Sequence, residues 1–249
     1  MAAIEDLFAQ VYEHPDDDEV RLVLADALLA AGDPRGELIQ LQFHPEADHE
    51  RRTMELLQHH GLTWLGALRD HVVPIRYERG FVTSCVATDV DDIVGAPEWA
   101  TIRTVELMCT NRAFLLHPAM RSLRRIHGIR VDLLQQIALD APALAARIEA
   151  LRVMDLGNSY TTFARFPALR EVAFNTALAL RRDDRGQLAS LEGWFDPSVV
   201  HLLETLPADT LTRVALRGMH HVPGLPEALA RHPRAVIDQR ARIRPPLVD

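Results

Sequence analysis

The sequence predicts an α/β fold in two parts. An α-helical domain is expected over residues 1–75, followed over residues 76–249 by a solenoid of short parallel strands with a C-terminal cap. Two observations support this division. Residues 21–42 have the pattern of two helices around a Gly-Asp-Pro break, and from residue 80 onward short apolar alternations recur along the chain. Helical periodicity therefore gives way to strand periodicity near the expected boundary.

The helix pair in residues 21–42 is defined by an apolar stripe and by its termination signals. The stripe recurs at three- and four-residue intervals from Val20 to Ala31, which is typical of a helix buried along one face. Gly32 supplies a left-handed terminating residue, and Asp33 with Pro34 supplies an N-cap followed by proline at the first helical position. Because the connection is short, the second helix must fold back on the first.

Asp26 and Arg35 are the polar residues of this hairpin that we single out. Asp26 falls beside the apolar stripe, and Arg35 opens the facing helix. We interpret them as an intramolecular ion pair, or Asp26 as hydrogen-bonded to the backbone, in either case locking the two helices together. A catalytic role for the Asp26 carboxylate is the minor alternative.

Further helices are expected on both sides of the hairpin. Apolar residues on one face of residues 4–12 predict a first helix that ends before a proline. Asp16 with Glu19 then predicts a reciprocal N-cap for the first hairpin helix. Residues 46–60 predict another amphipathic helix, which Gly61 is expected to end.

The hairpin also carries a series of short motifs. These are a proline with an acidic run, an Arg-Leu-Val-x-Ala-Asp segment, a Gly-Asp-Pro break and a closing Glu-x-Ile-x-Leu-Gln. They fall on Pro15 and Asp16 to Asp18, on Arg21, Leu22, Val23, Ala25 and Asp26, on Gly32, Asp33 and Pro34, and on Glu37, Ile39, Leu41 and Gln42.

These motifs resemble the bacterial repeat-companion domain family over about residues 4–45. A weaker continuation is Tyr77-Glu-Arg-Gly-Phe81, which is similar to an aromatic-x-Arg-Gly-Phe element that often follows the helices of that family. The chain departs from the family at Leu24 and Ala27, where tyrosine and tryptophan are common. The resemblance implies no enzymatic activity, and it implies that repeats follow.

Self-similar segments do follow, starting at residues 102, 123, 151, 169 and 211. They have an L-x-x-L-x-L pattern, as in Ile102–Leu107, and the copy at Leu123 lacks the last apolar residue. The starts are 21, 28, 18 and 42 residues apart, so we expect a diverged or interrupted unit between Ala177 and Asp209. The pattern resembles the leucine-rich repeat family over about residues 100–240, although its usual asparagine is poorly matched. The resemblance implies one short parallel strand in each repeat.

Stacked strands would place equivalent positions of each copy side by side on one face of the sheet. The position after the first apolar residue is arginine in four copies, and the positions flanking the central apolar residue carry both charges. We predict a partner-binding surface formed by Arg103, Arg124, Arg125, His127, Arg152, Asp155, Arg170, Glu171 and Arg213. Such a surface suits a protein partner that carries carboxylates. Alternatively, the arginine stems cover apolar surface and neighbouring acids neutralise their charges.

Composition excludes several kinds of chemistry. The 27 basic residues are all arginine, so lysine-based Schiff-base and phosphate-binding chemistry is excluded. With 35 acidic residues the net charge is −8, which opposes diffuse binding to nucleic acid or to anionic membranes. Two cysteines without a CxxC pair, and histidines without ligand spacing, indicate neither a metal nor a cofactor. Without a signal peptide or a long apolar run, we expect a cytoplasmic protein that does not span a membrane.

The sequence thus predicts a noncatalytic scaffold that binds a partner protein on the concave face of the solenoid. One alternative is a hydrolase with a carboxylate and histidine site, for example Asp26, His127 and Asp155. The other is nucleic-acid binding through the arginines of residues 231–244. Trp194 and Phe195, in the irregular segment, are a second candidate anchor for a protein partner.

Overall fold

The computed structural model describes residues 2–46, 49–109, 112–154, 160–174, 178–183, 185–194, 198–217 and 223–238. The chain forms two compact units, Met1–Leu123 and Arg124–Asp249. Helices and strands occur in both units, so the mixed α/β class predicted from the sequence is confirmed.

The first unit begins with helices and continues into strands. Its longer helices are α1 (Ala2–Glu13), α2 (Asp18–Ala30), α3 (Pro34–Phe43) and α4 (His49–Trp64). Its strands are β1 (Val72–Glu78), β2 (Phe81–Ala87) and β3 (Thr104–Leu107), and it also contains the short helix α5 (Ala113–Leu116). Single 3₁₀ turns cover Gly66–Leu68, Asp91–Ile93 and Pro97–Thr101. Strand β1 pairs antiparallel with β2, and β2 pairs parallel with β3.

The second unit alternates strands with short helices. Its strands are β4 (Arg125–Ile129), β5 (Ala150–Val153), β6 (Glu171–Ala173), β7 (Leu178–Arg182), β8 (Leu188–Trp194), β9 (Arg213–Arg217) and β10 (Val236–Ile237). Its helices are α6 (Val131–Asp140), α7 (Pro142–Ala145), α8 (Tyr160–Phe163), α9 (Ser198–Thr205) and α10 (Leu225–Ala230). Strands β4, β5 and β6 are parallel, as are β8, β9 and β10, while β7 is antiparallel to both of its neighbours.

The helix hairpin in the first unit has the predicted connection. Gly32 has a φ of +73°, and the Asp33 side chain accepts a hydrogen bond from the Arg35 amide as the N-cap of α3, with Pro34 at its first position. The N-cap of α2 was predicted one residue early, because Asp17, not Asp16, accepts the Glu19 and Val20 amides. Asp16 is instead ion-paired with Arg103 at 2.9 Å.

The end of α4 also differs from its prediction. The helix continues through Gly61 to Trp64, so glycine does not end it. The Gly61 carbonyl accepts a hydrogen bond from the Tyr77 hydroxyl at 2.7 Å, which joins this last turn to β1. A Cβ at Gly61 would lie 3.9 Å from the nearest atoms of Leu57 and Tyr77, so the contact with β1 does not itself require a glycine there.

The polar residues of the hairpin hold the turn between β1 and β2. The Arg35 Nε donates to the Gly80 carbonyl at 2.9 Å, and the Arg21 guanidinium donates to the carbonyls of Arg79 and Pro15. The Gln42 side chain donates to the Tyr77 carbonyl and accepts the Gly80 amide. Arg79 and Gly80 have φ values of 53° and 80°, as a tight hairpin turn of the primed type requires.

This arrangement corrects the predicted ion pair between Asp26 and Arg35. Asp26 is exposed and accepts a hydrogen bond from the Gln40 side chain at 3.1 Å. Arg35 is buried, with its guanidinium carbon 4.3 Å from the centre of the Phe81 ring and 4.9 Å from that of Phe8. Burial lowers the pKa of Arg35, and the ring faces and carbonyl replace a carboxylate as its partners.

Glu37, which begins the closing Glu-x-Ile-x-Leu-Gln motif of the predicted hairpin, joins α3 to α4. Its two carboxylate oxygens accept from the Arg52 guanidinium at 2.6 and 2.8 Å. This bidentate contact lowers the pKa of Glu37.

The Tyr77 hydroxyl predicts a change of stability in alkali. Burial raises the pKa of Tyr77 from 10.0 to about 12, so the folded state favours the neutral phenol. This contribution to stability is complete below pH 10 and is lost as the pH rises through about 12. We expect Tyr77→Phe to be less stable than the wild type at neutral pH, because it loses the bond to Gly61, and to show a smaller loss in alkali. Urea unfolding at neutral pH and at pH about 11 measures the difference, and parallel pH profiles would contradict it.

Candidate functional site

The pairing of the strands changes the alignment of the third repeat. Leu151 on β5 pairs with Ile126 on β4 and with Val172 on β6. Leu151 is therefore the central apolar residue of its copy, whereas the sequence alignment had put Met154 at that position. Leu151 is buried, whereas Met154 is 69% exposed. The third copy therefore starts at Ile148, and successive starts are 21, 25, 21 and 42 residues apart.

The corrected alignment breaks the predicted row of arginines. The residue after the first apolar position is now Glu149. Its amide donates to the Arg124 carbonyl and its carbonyl accepts from the Arg170 amide, so Glu149 lies between these two arginines. Arg152 is instead paired with His127 on the neighbouring strand β4. Arg103 lies in the first unit and is ion-paired with Asp16 there. The predicted row of Arg103, Arg124, Arg152 and Arg170 is therefore wrong in its register.

The interrupted unit expected between Ala177 and Asp209 contains a β-hairpin and a helix. Strands β7 and β8 form the hairpin, and α9 leads from it to β9. The exposed indole of Trp194 lies at the end of β8, with the Arg217 guanidinium carbon 5.7 Å from its ring centre. The predicted Phe195 lies outside the described residues.

One face of the second-unit sheet is polar. The side chains that alternate with the central apolar residues form two rows across the strands. The first row is Arg125, Ala150, Glu171, Arg181, Ser190, Arg213 and Val236. The second is His127, Arg152, Ala173, Ala179, Glu192 and Ala215, and Asp238 follows β10 on the same side. We call these two rows the polar face.

A continuous series of ion pairs crosses this face from β6 to the end of β10. Arg181 contacts Glu171 at 2.7 Å and Glu192 at 2.8 Å. Arg213 contacts Glu192 at 3.2 Å and Asp238 at 3.2 Å. The side chains of Arg181, Glu171 and Glu192 are only 13%, 4% and 10% exposed, so the two Arg181 contacts are screened little by solvent, whereas Arg213 and Asp238 are 43% and 37% exposed. We call the five residues the ion-pair chain.

The β4 and β5 end of the polar face carries a different charge pattern. Arg125, His127 and Arg152 lie there on adjacent strands. The Arg152 Nε is buried and has no hydrogen-bond partner among the described residues. A buried N–H without an acceptor is costly, so the Arg152 guanidinium is less well satisfied than that of a solvated arginine. In the ion-pair chain, each described guanidinium contacts two carboxylates.

Sequence reasoning missed Glu149, Arg181, Glu192 and Asp238. A signal existed for Glu192, because Ser190, Leu191 and Glu192 alternate polar and apolar side chains as strands do, whereas residues 178–182 show no such alternation. The shift of the third copy hid Glu149, since the sequence offers two overlapping apolar patterns three residues apart.

The residues suggested for hydrolysis are not brought together within the described part of the chain. Asp26 belongs to the first unit and hydrogen-bonds Gln40, His127 is a buried residue of β4 in the second unit, and Asp155 lies outside the described residues. Within the described ranges, no group of three histidine, cysteine, aspartate or glutamate side chains could hold a metal ion. Both cysteines are buried and reduced, and burial raises the pKa of Cys85 to about 12.

The basic C-terminal residues are only partly described. Arg231 and Arg234 are exposed, whereas residues 239–249, with Arg240, Arg242 and Arg244, lie outside the described part of the chain. Among the described helices, none combines the length and the apolar character needed to cross a bilayer.

Comparison of the chain with models of protein families, with curated proteins and with solved structures gives no match.

Proposed function

We propose that the protein is a noncatalytic scaffold in the cytoplasm, and that the polar face of its second unit binds a partner protein through the partner's carboxylates. In this proposal residues 4–45 act as a repeat-companion domain and the second unit is an irregular leucine-rich-repeat solenoid. The parallel strands and the corrected spacing of the copies support this architecture.

The observation that supports the proposal best is the buried Arg152 Nε without an acceptor. Arg152 is half-buried, so the rest of its guanidinium can still be reached from outside. Arg125 lies diagonally across from it on β4. A guanidinium binds a carboxylate through two parallel N–H groups, which provides orientation as well as energy.

The ion-pair chain also favours binding of the partner at the β4 and β5 end of the polar face. It contains three carboxylates and two guanidiniums, so it attracts a second carboxylate poorly. An acidic partner is therefore drawn to β4 and β5 and repelled by the strands beyond β6. This gradient of charge gives the partner one favoured position on the sheet.

A capture experiment tests the proposal. The tagged full-length protein is incubated with lysate of its native organism, and proteins retained by the wild type are quantified by mass spectrometry. We expect Arg152→Glu to reduce retention of the specific partner about tenfold or more, because the change puts a like charge against the partner's carboxylate. Arg170→Glu is the matched control, since it makes the same change at an exposed arginine outside the two rows of the polar face.

The outcomes separate the alternatives. Retention lost only in Arg152→Glu, with an unchanged circular dichroism spectrum, supports binding at the polar face. Equal retention by all three proteins contradicts it. Retention of DNA by the wild type that falls steeply with salt would favour the nucleic-acid alternative.

A further inference from the structure

A groove of about 700 Å³ runs along α1 in the first unit. One wall is a face of α1, and the other comes from residues 95–100 and 117–121. Its lining is largely apolar and includes Phe8, Ala9, Tyr12, Pro97, Pro118 and Ala119. The groove lies entirely within one unit, and the proposed function makes no use of it.

The α1 wall has the shape that receives a side chain from another helix. Glu5, Phe8, Ala9 and Tyr12 follow one another at i, i+3, i+4 and i+7, so they surround a single depression on the helix surface. Such four-residue holes receive the knobs of a facing helix. Ala9 is exposed and small, so the centre of this hole is open.

The aromatic walls of the hole are held from below. The rings of Phe8 and Tyr12 are stacked with centres 6.3 Å apart. The Phe81 ring lies edge-on to both, at 6.1 and 6.0 Å, and belongs to the same buried cluster as Val11 and Leu24. The hole is therefore formed before a ligand arrives, which lowers the entropic cost of binding.

The charges at the groove are unequal at its two ends. Glu5 and Glu13 are two turns apart, about 12 Å along the helix axis. Neither carboxylate has an ion-pair partner in the part of the chain that the structure describes. At the Glu13 end, Arg121 donates to the carbonyls of Tyr12 and Glu13 at 3.4 and 2.8 Å, and its positive charge offsets that carboxylate. The excess negative charge therefore lies at Glu5.

We propose that this groove binds an amphipathic helix of a partner protein, with an apolar stripe in the groove and a lysine or arginine beside the stripe facing Glu5. The regular spacing of the hole matches a helix better than an extended chain. The net charge of −8 also favours approach by a basic segment. This proposal is independent of the one for the polar face.

Two synthetic peptides test it by fluorescence anisotropy with the full-length protein. Both are amphipathic helices with leucines at i, i+3, i+4 and i+7, and they differ only in one arginine or glutamate beside the stripe. We expect the arginine peptide to bind about tenfold more tightly, and Glu5→Arg to reverse this preference. Ala9→Trp fills the hole, so it should weaken both peptides about tenfold.

Asp6→Arg is the matched control, because it makes the same charge change one residue away, outside the groove lining. It should leave the peptide preference unchanged, and circular dichroism checks that each variant is folded. The proposal is overturned if neither peptide binds, if Glu5→Arg does not alter the preference, or if Ala9→Trp binds as the wild type does. Binding of small aromatic amines with no binding of either peptide would also overturn it.

Discussion

Glu192→Ala is expected to lower the free energy of unfolding by about 3–5 kcal/mol, because it removes the middle carboxylate of the ion-pair chain. Glu192 accepts from Arg181 at 2.8 Å and from Arg213 at 3.2 Å, and its side chain is 10% exposed. Arg181 is itself 13% exposed, so it would keep its charge with only Glu171 as a described ion-pair partner. The cost therefore includes two guanidiniums that each lose one carboxylate partner, as well as the hydrogen bonds of the glutamate itself.

Chemical unfolding of the wild type and the variant measures this loss. Glu204→Ala is the control, since Glu204 is an exposed residue of α9 and its truncation should change stability by no more than about 0.5 kcal/mol. The triple variant Glu192→Ala, Arg181→Met and Glu171→Gln should recover part of the loss, because it removes the buried charges together and leaves none of them without its partner. Equal stability of Glu192→Ala and Glu204→Ala would show that the ion-pair chain contributes nothing to the fold.

Arg35→Ala is expected to lower the free energy of unfolding by about 3–4 kcal/mol. The change leaves the Gly80 carbonyl without its donor and opens a cavity between the rings of Phe8 and Phe81. It also removes one of the hydrogen bonds that hold the β1–β2 turn. The turn cannot compensate by moving toward α3, because Gly80 is already packed against that helix. A Cβ at Gly80 would lie 2.2 Å from the Ile39 Cγ1, which shows how closely the turn is packed.

A second variant separates the lost volume from the lost hydrogen bond. Arg35→Met refills most of the space but donates nothing, so it should cost about 1–3 kcal/mol. Arg52→Ala is the control, because that arginine is ion-paired with Glu37 on the surface and should matter little. Urea unfolding ranks the three variants, and an Arg35→Ala protein no weaker than Arg52→Ala would contradict the role assigned to Arg35.

Local chemistry predicted the helical part of the fold well. Gly32, Asp33 and Pro34 act within a few residues of one another, so the sequence specifies the turn that they form. The partners of Arg35 lie far away along the chain at Gly80 and Phe81, and no helical pattern could reveal them. A buried arginine facing aromatic rings has the same sequence signature as an exposed one.

The strands were found by their period, and the predicted parallel pairing holds for β4 to β6 and for β8 to β10, but the antiparallel direction of β7 was missed. Short apolar segments look alike in parallel and antiparallel pairs, so β7 and β8 were expected as a diverged repeat and proved to be a hairpin. The predicted row of arginines was wrong for a related reason. Moving one copy by three residues exchanges Arg152 for Glu149 in the predicted row, because an odd shift exchanges the two faces of a strand.

The β7–β8 hairpin has a consequence for how this architecture can grow. The chain reverses direction on entering β7 and again on entering β8, so β9 runs the same way as β6. Strands inserted in pairs leave the direction of the later strands unchanged, whereas a single inserted strand would reverse the direction of every strand after it. Each connection between neighbouring strands of the sheet is thus a place where an even number of strands can be added or removed without reversing the strands that follow, and residues 178–194 occupy one of them.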